Sequence, residues 1–168
     1  MISSGHIPAT WTQHTILNLG FQHRTDYEGR LELLQPNDKK TYQQSIAIDH
    51  CSAPDLDKVF SIDNQFSWLK NKVYAVHRLG PGGLLPFHKD AYKKYQVNQG
   101  IDNVNQIYRI VVFLEDWKDG HILQVGSHLY AHWKAGDFSA WFGQTVHMAA
   151  NLGHEDRYTL QITGTIIE

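Results

Sequence analysis

The stretch QIYRIVVFLEDWKDGHILQVGSHLYAHWKAGDFSAWFGQTVHMAANLGHEDRYTLQITGTII, residues 106–167, decides the fold class. Its apolar runs are short: QIYRIVVFLE (106–115), HILQV (121–125), HLYAHW (128–133), FSAWF (138–142), TVHMAANL (145–152) and RYTLQITGTII (157–167). Between them stand turn-forming pieces: DWKDG, GS, KAGD, GQ and GHED. Two similar runs lie upstream, VYAVHRL (73–79) and LLPFH (84–88), separated by GPGG. Runs of this length, broken by Gly, Asp and Asn, mark strands rather than helices. Many short strands at this spacing predict a mainly β sandwich or barrel. The expectation is an eight-stranded jelly roll, with another eight-stranded β-fold as the alternative.

The N-terminal part has a different texture. Residues 55–70, DLDKVFSIDNQFSWLK, carry Leu56, Val59, Phe60, Phe66 and Leu69 at spacings that can line one helical face. Asp55, after Pro54, suits a helix start. Segments 14–19 (HTILNL) and 45–48 (SIAI) are predicted to be short strands. With 168 residues the chain fits one domain. Residues 1–72 are expected to support a β core over 73–168.

Composition narrows the function. Lys and Arg number 15 against 17 Asp and Glu, giving a net charge of -2. That balance offers no electrostatic case for nucleic acid or an anionic membrane. No segment approaches the roughly 18 apolar residues of a membrane helix, and the N-terminus lacks the pattern of a signal peptide. The single cysteine, Cys51, cannot form an internal disulfide, which fits a cytoplasmic setting. The partner expected is a peptide or small molecule.

His88-Lys89-Asp90 carries the chemistry. In extended chain, residues two apart point to one side, so an imidazole and a carboxylate can converge. Two histidines and a carboxylate suit a non-haem iron(II) site. His147 is the best third ligand. Ten residues on, Arg157 opens the last strand, and alternation places Arg157, Thr159 and Gln161 on one face. Taken alone, that stripe also fits a solvated face.

Together these pieces resemble the 2-oxoglutarate/iron(II)-dependent dioxygenases of the double-stranded β-helix fold, over about residues 73–165. HRLGPGGLLPFHKD is similar to the Gly-rich turn and strand leading into that family's HxD motif. YRIVVFLEDWKDGHIL is similar to the strand that follows. AGDFSAWFGQTVHMAANLGHEDRYTL is similar to its Gly-Asp turn, distal histidine and final-strand arginine. The resemblance implies that His88, Asp90 and His147 hold Fe(II). It implies that Arg157 pairs with the far carboxylate of 2-oxoglutarate, with Thr159 beside it. O2 would be consumed, succinate and CO2 released, and ascorbate could serve as reductant. The charges of metal, one carboxylate, the co-substrate dianion and one arginine then cancel.

Two positions depart from the family pattern. In the prolyl-hydroxylase branch a tyrosine commonly stands three residues before the first iron histidine; here it is Leu85. Its contact would shift to Tyr74 or Tyr108. The turn after the third strand reads Gly120-His121 where two glycines are usual. The polar segment 91–105 is expected to be a loop over the substrate, with Tyr92 and Tyr95 stacking on it. Arg109 could face the pocket or be fixed by a carboxylate. Two rival readings remain: a non-catalytic jelly-roll binding module, and a cupin-like metalloenzyme without 2-oxoglutarate, built on His121, His128 and His132.

Overall fold

The computed structural model describes residues 2–23 and 48–166. Eleven strands form two antiparallel sheets among these residues. They are β1 (Ile2–His6), β2 (Gln22–His23), β3 (Ile48–Cys51), β4 (Leu69–Leu79), β5 (Leu84–His88), β6 (Ile107–Phe113), β7 (His121–Val125), β8 (His128–Tyr130), β9 (Asp137–Phe142), β10 (His147–Asn151) and β11 (Arg157–Ile166). The larger sheet runs β1-β9-β6-β11-β4-β3-β2, and the smaller runs β5-β10-β7-β8.

All eight runs expected from residue 73 onward appear as strands, so the mainly β expectation holds. The count of eight does not, because three N-terminal strands extend the larger sheet. β1 reads ISSGH and its last four residues are exposed. It pairs with the edge of β9, Ile2 opposite Trp141 and His6 opposite Asp137. A strand held by backbone pairing, with no apolar alternation, leaves no mark in composition.

Two other N-terminal expectations fail locally. Segment 14–19 is no strand: Gln13–Leu17 forms helix α1, started by a capping box between Thr12 and Thr15. Residues 55–70 are no continuous helix. They form α2 (Leu56–Val59), then a 3-10 turn (Asp63–Phe66), with Ser61 between them at φ 52°. The apolar residues are still buried, Leu56, Phe60, Phe66 and Leu69 all at 3% exposure or less, but Val59 stays 43% exposed. Packing on a sheet needed the apolar groups, not a straight helix. Of segment 45–48, only Ile48 lies among the described residues, where it opens β3.

Strand alternation divides the core. Tyr74, Val76, Tyr108, Ile110, Val112, Tyr158, Leu160 and Ile162 face outward from the larger sheet, under Trp11, Ile16, Leu56, Phe60 and Phe66. Leu79, Val111, Phe113 and Trp141 face inward and meet Leu85, Leu123, Val125 and Ala149 of the smaller sheet. No helix among the described residues is long and apolar enough to cross a membrane.

Gly136, just before β9, ties the chain after β1 to the end of β6 within the larger sheet. Its N–H donates to Phe113 and its carbonyl accepts from Ile7, both at 2.9 Å. Its φ is +92°, and a Cβ there would run into the Ile7 carbonyl. Gly136→Ala is therefore expected to destabilise the protein by at least about 2 kcal/mol, read as a fall in melting temperature of several degrees. An unchanged melting temperature would show that this clamp carries no stability.

Candidate metal centre

β5 and β10 pair so that His88 stands directly opposite His147. Cross-strand partners project to the same face, and the two rings lie 4.3 Å apart. Asp90, two residues past the end of β5, points the same way. Its Oδ1 lies 3.8 Å from His88 Nε2 and its Oδ2 lies 3.8 Å from His147 Nε2. One donor atom from each residue falls within 4.8 Å of the others, and all three residues are buried. Metal bonds of about 2.1 Å would need these atoms to draw in by roughly half an ångström.

The tautomers suit a metal. His88 Nδ1 lies 2.7 Å from the Pro86 carbonyl, and His147 Nδ1 lies 2.9 Å from the Thr145 carbonyl. A carbonyl only accepts, so each Nδ1 carries the proton. Each Nε2 then points toward Asp90, and a carbonyl bond at Nδ1 is the arrangement that fixes metal-binding histidines. The ring of Trp141 packs 4.9 Å from that of His147 and limits its rotation.

Arg109 fixes the third donor. From β6 its Nη2 and Nε donate to Asp90 Oδ2 at 2.8 and 3.2 Å, and its Nη1 donates to Gln161 at 2.9 Å. The Tyr92 hydroxyl accepts from the same Nε at 3.3 Å. Burial holds the Tyr92 phenol above its ordinary range, so it stays neutral. Of the two roles the sequence left open for Arg109, fixation by a carboxylate is the one its bonds describe. Gln161 went unnoticed as a partner, although alternation from Arg157 places it on the same face.

Arg157 lines the cavity that also holds His88, Asp90, His147, Thr159 and Gln161. It is 5% exposed, and neither its Nε nor its Nη2 has a hydrogen-bond partner. The faces of Trp133 and Phe113 lie 5.5 and 5.9 Å from its guanidinium carbon. Burial alone pulls its pKa down to about 10. A buried cation without a paired anion is costly, and ring contacts return only part of that. The donors thus suit an incoming carboxylate. The cavity is narrow, about 30 Å³. That is room for a water or two.

Other expected residues are not brought to this centre. Tyr74 and Tyr108 sit on the outward face of the larger sheet, because strand parity turns them away from Arg109 and His77. The Tyr74 hydroxyl donates to Asp63 at 2.8 Å, and that of Tyr108 bonds Ser3 at 3.0 Å. Residues 91–105 are not simply a loop: α3 (Lys93–Gln99) forms within them, ended by Gly100 in the left-handed region. Tyr95 on α3 donates to the Asn71 carbonyl at 2.9 Å and, with Tyr92, lines a larger cavity beside the metal group, as the expectation of a substrate contact requires. The triad of His121, His128 and His132 is not assembled. His121 is buried against the Glu155 carbonyl, His128 is exposed, and His132 leaves the strand at φ 57° to pack on Trp117.

No protein-family model matches the chain, and no curated protein matches it. Solved structures do. A predicted oxalate decarboxylase from Thermotoga maritima aligns with a TM-score of 0.51 at 13% identity, over 89% of this chain and 96% of that one. The fold is a double-stranded β-helix. A putative sugar phosphate isomerase from Acidithiobacillus ferrooxidans aligns at 0.50 and 15% identity, over 92% and 74% of the two chains. A Pseudomonas putida prolyl-4-hydroxylase aligns at 0.49 and 13%, over 92% and 96%. At such identities the likeness is one of fold alone.

Two substitutions probe the centre. Asp90→Ala is expected to abolish tight binding of a divalent transition metal, measured by titration calorimetry. Arg109→Leu is expected to weaken it by about 10- to 100-fold, as loss of a group that orients a ligand does. Full affinity in Asp90→Ala would remove this group from consideration as the metal site.

Proposed function

We propose that the protein is a 2-oxoglutarate- and Fe(II)-dependent dioxygenase that hydroxylates a small molecule or a peptide residue. Prolyl peptides are the first peptide substrates to test. One observation carries the reading: a buried arginine without hydrogen-bond partners at two of its nitrogens lines the same cavity as a His-Asp-His group. With O2 as the oxidant, a bound metal and the co-substrate would supply the chemistry for hydroxylating a C–H bond, one oxygen atom going to the substrate and the other to succinate, with CO2 released.

The chain's own contributions follow from its side chains. His88 and His147 would bind the metal through Nε2, their rings oriented by the carbonyl bonds at Nδ1. Asp90 would bring the negative charge, held in orientation by Arg109. Arg157 would grip the far carboxylate with two parallel donors, a geometry lysine cannot copy, and Thr159 stands on the same face. Leu85, Val111, Leu123, Trp141 and Ala149 would keep water away from the reacting atoms. Leu85 stands where the prolyl-hydroxylase branch places a tyrosine, and neither Tyr74 nor Tyr108 replaces it. The co-substrate contacts would therefore differ from that branch.

A second reading has one observation in its favour. The narrow cavity suits a smaller acid, and Arg157 would then bind the substrate itself in a cupin-like metalloenzyme. Aerobic incubation with Fe(II), ascorbate and 2-oxoglutarate separates the two. The dioxygenase reading expects succinate above a metal-free control, increased by a true substrate. Metal binding without any succinate would favour the second reading.

Arg157→Met tests the carrying observation on its own. Losing a charged hydrogen bond should weaken 2-oxoglutarate binding by about ten- to over a hundredfold. The same change should raise the melting temperature of the co-substrate-free protein. Lowering the pKa of a buried cation destabilises the fold at every pH below that lowered value, here about 10. The penalty removed is on the order of 3 kcal/mol, equivalent to several degrees. A lower melting temperature with unchanged co-substrate affinity would make Arg157 a structural residue.

A further inference from the structure

A second cavity, of about 550 Å³, opens beside the metal centre between α3 and the inner face of β3, β4 and β11. Asp90, Arg109, His77 and Gln161 border it, and Asp90, His77 and Gln161 also border the narrow cavity. A molecule held here would therefore reach the metal group at one end. The volume lies within the range of small-molecule sites, roughly 300–1,000 Å³.

The charges around this cavity are one-sided. Lys93, Lys94 and Arg109 line it. Among the described lining residues the one carboxylate is Asp90, and Arg109 already holds it. Neither lysine has an ion-pair partner among the described residues, and both are exposed at the start of α3. The chain as a whole is acidic, at -2, so this is a local concentration and not a general property.

The centre itself tilts the same way. A metal dication, Asp90, Arg157 and a 2-oxoglutarate dianion would balance. Arg109 adds a positive charge that this sum omits, and it is buried with side-chain exposure of 11%. A loaded centre would keep one positive charge in excess, facing the larger cavity through Asp90 and Arg109. Uncompensated buried charge attracts a counter-charge.

We propose that the larger cavity binds an anionic small molecule, through a carboxylate or phosphoryl group held by Lys93 and Lys94, as the substrate of the metal centre. Amide and hydroxyl groups of Asn98, Gln99 and Thr163 line the same space and suit the polar remainder of such a molecule. This deepens the reading above and rests on it for the role of substrate; the anion site itself does not depend on 2-oxoglutarate.

Titration calorimetry on the metal-loaded protein tests it with matched probes: N-acetylleucine against its amide for the carboxylate, and O-phosphoserine against serine for the phosphoryl group. The measurements are made in the Arg157→Met background, where the narrow cavity has lost its arginine, and the lysine variants below control for any anion held by the metal. At least one charged probe should bind on the order of tenfold more tightly than its neutral partner, with affinity falling as salt rises. Adding Lys93→Gln and Lys94→Gln should erase that preference. The pair that shows the preference identifies the anionic group. Equal binding of charged and neutral probes would overturn the proposal, as would a preference that survives loss of both lysines. A failure of the unsubstituted protein to form succinate, with the lysine-dependent preference intact, would instead count against the dioxygenase reading and leave the anion site standing.

Discussion

The ion pair between Asp90 and Arg109 joins what the two sheets separately provide. Asp90 follows β5 of the smaller sheet, and Arg109 belongs to β6 in the larger one. Their contact, 2.8 Å long, is buried on both sides. It sets the carboxylate between two histidines that strand pairing has already placed face to face. A buried pair of this kind adds little net stability, but losing one partner costs about 3–5 kcal/mol. Its value lies in position: it orients the third ligand toward the two histidines as the sheets close on each other.

Arg157 shows the opposite economy. It is buried at the start of β11 with two donor nitrogens unmatched among the described residues, beside the mutually stacked rings of Trp133 and Phe113. Nothing in folding alone favours a cation there, and an apolar residue would pack at lower cost. Such a group makes sense where an anion arrives later and completes the pairing. The same argument extends outward, because Arg109 leaves the loaded centre with positive charge to spare and the neighbouring cavity is bordered by two unpaired lysines.

Much of this was legible in the sequence, for identifiable reasons. From residue 73 onward apolar runs and turns alternate regularly, so the strands read directly. His88, Asp90, His147 and Arg157 stand out because their residue types and spacings are rare together. What stayed hidden depends on distant packing. β1 exists only because β9 offers it an edge. The helix expected over 55–70 breaks at Ser61, since a curved sheet face, not periodicity, decides where Leu56 and Phe66 land. Tyr74 and Tyr108 were drawn toward the co-substrate by a missing tyrosine at Leu85, but parity on β4 and β6 turns both outward. The same parity, applied from Arg157, places Gln161 on the inner face but does not pair it with Arg109. The link from Arg109 to Asp90 joins residues 19 apart on different sheets, and no local pattern announces it.

The most direct test is an anaerobic crystal structure of the protein grown with Fe(II) and 2-oxoglutarate. The account predicts one iron bound by His88 Nε2, His147 Nε2 and an Asp90 oxygen, with Arg109 still on that carboxylate. It also predicts the far carboxylate of 2-oxoglutarate paired with both unmatched nitrogens of Arg157. Iron bound elsewhere, or an Arg157 left unpaired while 2-oxoglutarate occupies another place, would contradict it.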